Sequence, residues 1–116
     1  MKLPILVVAV SLALVGCSAQ TPVVAPITKS VEQLQGTTVK VPLNSMLNIT
    51  TGSLATDSYT GKVADPTIAT FIKGGKKGSA DFNPGVKPLK AGETQVTLSN
   101  SDGGIQDVVF TIDVTN

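Results

Sequence analysis

Apolar and polar residues alternate with a period of two along most of the chain. Val39, Val41 and Leu43 are separated by Lys40 and Pro42, and Leu47 and Ile49 by Asn48. Val96 and Leu98 alternate with Gln95, Thr97 and Ser99. The clearest run is the last, where Val108, Phe110, Ile112 and Val114 point one way and Asp107, Val109, Thr111 and Asp113 the other. Such stretches are half-buried strands with one wet face. Turn formers punctuate them at Asn44-Ser45, Thr51-Gly52, Gly74-Gly75, Asn83-Pro84-Gly85, Ala91-Gly92 and Ser101-Asp102-Gly103-Gly104. No helical stretch interrupts the pattern from Val31 onward. Short strands with this punctuation predict an all-β sandwich or small barrel, with a core adequate for about 85 residues.

The N-terminus breaks the alternation. Met1-Lys2 is followed by Leu3 to Val15, apolar except for Ser11 and broken only by Pro4. This run is too short for a comfortable helix across a hydrocarbon core of about 30 Å and has the length of a signal-peptide h-region. It ends Leu14-Val15-Gly16-Cys17, which resembles the lipobox of bacterial lipoproteins. The resemblance implies that residues 1–16 are removed and that Cys17 carries a diacylglyceryl thioether, leaving an exported, membrane-anchored lipoprotein of the cell envelope. The single Cys of the chain would be consumed by that modification; an ordinary cleaved signal with an incidental Cys is the other reading. Residues 17–30, with Pro22 and Pro26, read as a semi-extended tether reaching up to about 40 Å. In the alternative, Val23, Val24 and Ile27 begin an edge strand that tolerates proline. Residues 31–116 form the domain.

Composition narrows the chemistry. The chain has no His, Trp or Arg, one Cys, and nine basic residues against eight acidic ones. A Ser-His-Asp triad, a Cys-His pair and an ordinary zinc site are out of reach, so an enzyme is not expected, and neither a metal nor a cofactor. Near-neutrality argues against nucleic acid as a partner.

Three segments in order resemble the bacterial group 2 immunoglobulin-like family. Tyr59-Thr60-Gly61-Lys62-Val63-Ala64-Asp65-Pro66-Thr67-Ile68-Ala69-Thr70-Phe71 is similar to its centre, with Tyr59 where Trp is usual. Gly85 to Leu98, containing Ala91-Gly92-Glu93-Thr94, and Val109-Phe110-Thr111-Ile112-Asp113-Val114 are similar to its later strands. The loop from Lys73 to Asn83 carries extra residues. The resemblance implies a small immunoglobulin-like β-sandwich of about seven short strands, with Tyr59 in the core and its hydroxyl reaching an edge partner. It implies little about function.

Asn48-Ile49-Thr50-Thr51-Gly52 resembles a loop of the chagasin family, immunoglobulin-like inhibitors of papain-type cysteine proteases. In that family three loops at one end of the sandwich plug the protease cleft, the second of them rich in glycine. Gly74-Gly75-Lys76-Lys77-Gly78 stands at a comparable place, and Ser99 to Gly104, with Ser101, Asp102 and Gly103, at the third. The chain departs from the family in having Ile49 for Pro and neither Arg nor Trp in the third loop. Plain structural readings exist for each: a strand running into a turn at Asn48–Gly52, a solvated lysine loop at 74–78, and a hairpin turn at 101–104. Asp102 alone is far from a calcium site. The expected function is a non-enzymatic, lipid-anchored surface module whose domain binds another protein. The alternatives are a chagasin-like protease inhibitor and a phage- or prophage-encoded superinfection-exclusion lipoprotein. Any binding face is expected at the end bearing loops 50–58, 73–81 and 99–104, with Leu54 or Phe71 as apolar anchor; the Ala91-Gly92 turn should lie at the tether end.

Overall fold

The computed structural model describes residues 25–116. The signal segment, Cys17, and Val23 and Val24 lie outside the described residues.

The described chain is all-β apart from one helical turn. Two four-stranded sheets pack face to face, with eight strands where about seven were expected. The first sheet has the order β1 (Ile27–Ser30), β3 (Leu47–Thr50), β8 (Gly85–Pro88), β5 (Ala69–Ile72). The second has the order β2 (Thr38–Pro42), β10 (Val108–Thr115), β9 (Gly92–Asn100), β4 (Tyr59–Val63). A separate hairpin joins β6 (Gly75–Lys77) to β7 (Ala80–Phe82). This is a small immunoglobulin-like β-sandwich. Its core draws alternate residues from β2, β3, β9 and β10: Val39 and Val41, Leu47 and Ile49, Val96 and Leu98, and Val108, Phe110, Ile112 and Val114. Tyr59 is 2% exposed among them. No described residue hydrogen-bonds its hydroxyl, so the expected edge partner is not found; the ring lies instead beside a surface hollow.

Four features depart from the pattern reading. Ile27–Ser30, assigned to the tether with an edge strand as the other reading, form β1, which pairs parallel with β3 from Ile27↔Leu47 to Ser30↔Thr50. Ile27 packs against the core, and Ser45 Oγ donates to the Ala25 carbonyl at 2.8 Å, so the domain extends before residue 31. A helical turn, α1 (Val31–Leu34), follows where no helix was expected. Ser30 Oγ accepts from Gln33 N at 3.3 Å and Gln33 Oε1 accepts from Ser30 N at 3.0 Å. This reciprocal cap satisfies two N-terminal donors and drops Val31 and Leu34 into the core. Leu43 continues the alternation in sequence but is exposed, because β2 ends at Pro42 and the chain turns through Ser45 N to the Pro42 carbonyl (3.0 Å). Finally, part of the extra segment is ordered as the β6–β7 hairpin. Gly78 holds a φ of +62°, which a two-residue hairpin turn requires at its first position.

Register separates the two ends. β1, β2 and β10 connect through one end of the sandwich, where Ser30 opposes Thr50, Tyr59 opposes Asn100 and Ile72 opposes Gly85. Ile27, the Asp65–Ile68 turn, the Leu89–Ala91 turn and Thr115 lie at the other. The chain therefore enters and leaves the sandwich at the end opposite its long loops, and Ala91-Gly92 lies at the entering end.

Candidate functional site

The connections β3–β4, β5–β8 and β9–β10 meet at one end of the sandwich. Each is shaped by polar contacts of its own. In the first, Thr51 is buried, its hydroxyl donating to the Leu54 carbonyl at 2.8 Å while Leu54 N returns to the Thr51 carbonyl at 3.1 Å. This closed turn puts Gly52, with φ +64°, at an exposed tip. In the third, Asp102 N bonds Asn100 Oδ1 at 2.8 Å, and Asp102 Oδ1 accepts from Gly104 N at 3.1 Å. These are the local Asx contacts that Asn and Asp bring to turns.

The first connection lashes the other two together. Thr56 Oγ1 donates to Asp81 Oδ1 of the hairpin at 2.5 Å. On the other side, Ser101 N donates to the Ser58 carbonyl at 2.8 Å, and Asn100 Nδ2 to Ser58 Oγ at 3.0 Å. Gly74 makes the first of these junctions possible. A Cβ there would lie 2.5 Å from the Thr56 carbonyl oxygen and 2.6 Å from that of Phe82. No side chain fits, which gives this glycine a packing role. Between the first connection and the hairpin lies an open depression of about 590 Å³, lined by Thr50, Gly52, Thr56, Asp57, Lys76 and Asp81.

The structure thus gathers Thr50, Gly52, Gly74, Gly75, Lys76, Lys77, Gly78, Ser101, Asp102 and Gly103 around one end. Gly52, Lys76, Lys77, Gly78, Ser101, Asp102 and Gly103 are exposed there. Thr51 is turned inward and shapes the loop without offering a contact. Asn48 is not at the tip: it lies on the outer face of the first sheet, Nδ2 donating to Thr28 Oγ1 at 3.4 Å. The stretch 48–52 is a strand running into a turn, as one of its two readings had it. Of the apolar anchors, Leu54 borders the depression, whereas Phe71 is half-buried with its ring packed over Gly61, where a Cβ would collide with it.

Sequence reasoning missed α1 as a fourth element of this end. Val31 and Gln35, together with Leu54, Tyr59 and Ile105, border a more apolar hollow of about 320 Å³. Gln35 Oε1 accepts from Val109 N at 2.8 Å and fixes the turn to β10. The Ser30-x-x-Gln33 spacing was the available signal.

The strands and their connections define a small immunoglobulin-like β-sandwich. No protein-family model and no curated protein sequence matches the chain. The fold is similar to the crystal structure of the cysteine protease inhibitor EhICP2 from Entamoeba histolytica, with a TM-score of 0.52 and 16% sequence identity. The match covers 82% of this chain and 100% of that one.

Proposed function

We propose that the protein is a non-enzymatic inhibitor of papain-type cysteine proteases, held at the cell envelope by a lipid on Cys17. The observation that carries this reading is a likeness of fold spanning the whole of a cysteine protease inhibitor, on a chain whose three connections meet at one end. The chagasin-like Asn48–Gly52 stretch supports it, since its tip residue Gly52 is exposed in the first of those connections. Loops lashed into one rigid edge suit insertion into a cleft, because little conformational freedom is lost on binding. The third connection has no aromatic or guanidinium group, so Leu54 and the backbone of the exposed turns supply the contacts.

Titrating papain with the full chain against a fluorogenic peptide tests the reading. Stoichiometric, reversible loss of activity is expected, with affinity at least in the range of about 1 µM. Ser53→Trp combined with Ser101→Trp enlarges two exposed tips and should relieve inhibition without altering the unfolding midpoint. Undiminished papain activity at tens of micromolar protein, well above that affinity, would discard inhibition. Anchoring is tested separately: Cys17→Ala should move the exported protein from the detergent to the aqueous phase in phase separation. Its retention in detergent would remove the lipid from the proposal.

A further inference from the structure

We infer that the outer face of the first sheet, beneath the β6–β7 hairpin, is a second binding surface for an extended acidic peptide segment bearing an apolar side chain. Asn48 opposes Gly85, and Gly85 opposes Ile72, forming one row across β3, β8 and β5. Gly85 contributes no side chain to this row. Met46 comes down over it instead, its methyl 3.0 Å from where a Cβ would stand. With the hairpin as a wall, Met46, Ile72 and Phe82 border an open groove of about 540 Å³. Ile72 is 40% exposed and Phe82 53%, so both apolar side chains stand in water. Phe82 opposes Gly75 across the hairpin and has no cross-strand side chain to cover it.

Charge decides the occupant. Lys73, Lys76 and Lys77 border the groove, and no acidic residue does. The hairpin's own acid is turned away: Asp81 opposes Lys76 and is bonded to Thr56, on the side of the first loop. Lys76 lines both this groove and the depression beside Asp81, whereas Lys73, Lys77 and Phe82 line the groove alone. A methionine floor, an exposed aromatic ring and a lysine rim fit an apolar side chain flanked by carboxylates. An anionic bilayer shares part of this chemistry. The groove is concave, however, and lies toward the end opposite to where the chain enters the sandwich. Both features favour a peptide over a flat membrane surface.

The surface adjoins the loop-bearing end and shares Lys76 with it, but its test needs no protease. Full chain carrying Cys17→Ser is titrated, by fluorescence anisotropy, with a labelled Glu-Glu-Leu-Glu-Phe-Glu-Glu peptide and with the same peptide having Lys for Glu. Binding of the acidic peptide is expected, and not of the basic one, weakening several-fold as salt rises from about 20 to 200 mM. Lys73→Gln with Lys77→Gln should weaken it about ten-fold, as should Phe82→Ser, with circular dichroism unchanged. Failure of the acidic peptide to bind, equal binding of the basic one, or indifference to these substitutions would overturn the inference. So would capture of the same chain by phosphatidylserine vesicles that is stronger than peptide binding and lost with the two lysines; that outcome would make the surface a membrane contact.

Discussion

At the end where the chain enters the sandwich, Asp65–Ile68 and Leu89–Ala91 reverse direction within a few residues. Ile68 accepts through one carbonyl from both Leu89 N (2.8 Å) and Lys90 N (3.2 Å), and its side chain is buried against Gly92, whose φ is +145°. At the opposite end the connections are longer, and beside one backbone bond from Ser101 N to the Ser58 carbonyl they are joined by side-chain hydroxyls and amides: Thr56 to Asp81, Asn100 to Ser58. The first end is closed by backbone bonds and buried hydrocarbon. The second is held by polar contacts at the surface and leaves hollows open between its loops. The exposed tips of the second end can therefore change with the fold intact, whereas its Gly74 junction and the buried Ile68 of the first end cannot.

The largest expected effect lies in the core that both ends share. Phe110 opposes Val96 at the centre of the second sheet and is buried. Phe110→Ala should cost about 3–5 kcal/mol in urea unfolding, through lost burial and the cavity left behind. A cost below that of a surface substitution would refute the register of β10 and the core it defines.

Next in size is the junction between the first loop and the hairpin. Gly74→Ala puts a methyl against two carbonyl oxygens and the Pro84 nitrogen, all backbone and unable to swing aside. An expected cost of about 1–3 kcal/mol should come with a loss of papain inhibition larger than the fall in stability explains. If inhibition survives while stability drops, the edge of the loops does not act as a rigid unit.

Smaller again is the cap of α1. Ser30→Ala removes the acceptor for Gln33 N and should cost about 1 kcal/mol, with Ser30→Asp restoring most of it. Hydrogen exchange at Gln33 and Leu34 reads the effect locally. An unchanged exchange rate would mean that Val31 and Leu34 hold the turn by burial alone.

How much of this was legible depends on how local its cause is. The strand β10 was legible in full, because eight residues alternate without interruption. The turn at Asp65 was not among the turn signals read, although Asp-Pro-Thr carries its own hydrogen bonds. The helical turn was not legible, because four residues are shorter than any window in which a 3.6-residue period can be recognised. The strand β1 was one of two open readings, as its pairing is with residues twenty positions on. The loop end was foreseeable from alternation of connections in a sandwich. The lysine-rimmed groove was not, for it arises where Asn48, Gly85 and Ile72 fall into one row, a matter of register between distant strands.

The smallest effect sharpens the comparison by titration. Asp65 Oδ1 accepts from Thr67 Oγ1 at 2.6 Å and from Thr67 N at 3.0 Å. The hydroxyl contact, then the amide, hold its carboxyl below the ordinary carboxylate value, aided slightly by Lys90, although it is fully exposed. A depressed folded-state pKa means that the unfolded chain binds the proton more readily. The contribution of Asp65 is thus fully present above the ordinary aspartate pKa near about 3.9 and is lost as pH falls through the lower folded value. The Asp65→Asn variant keeps an oxygen acceptor but does not titrate. In acid unfolding it should converge on wild type below that window and be slightly less stable above it. Solvent screening at this exposed turn keeps the difference small. Parallel profiles, with no convergence in acid, would show that the turn at the entering end is held by its backbone bonds and by Ile68 without help from the carboxylate charge.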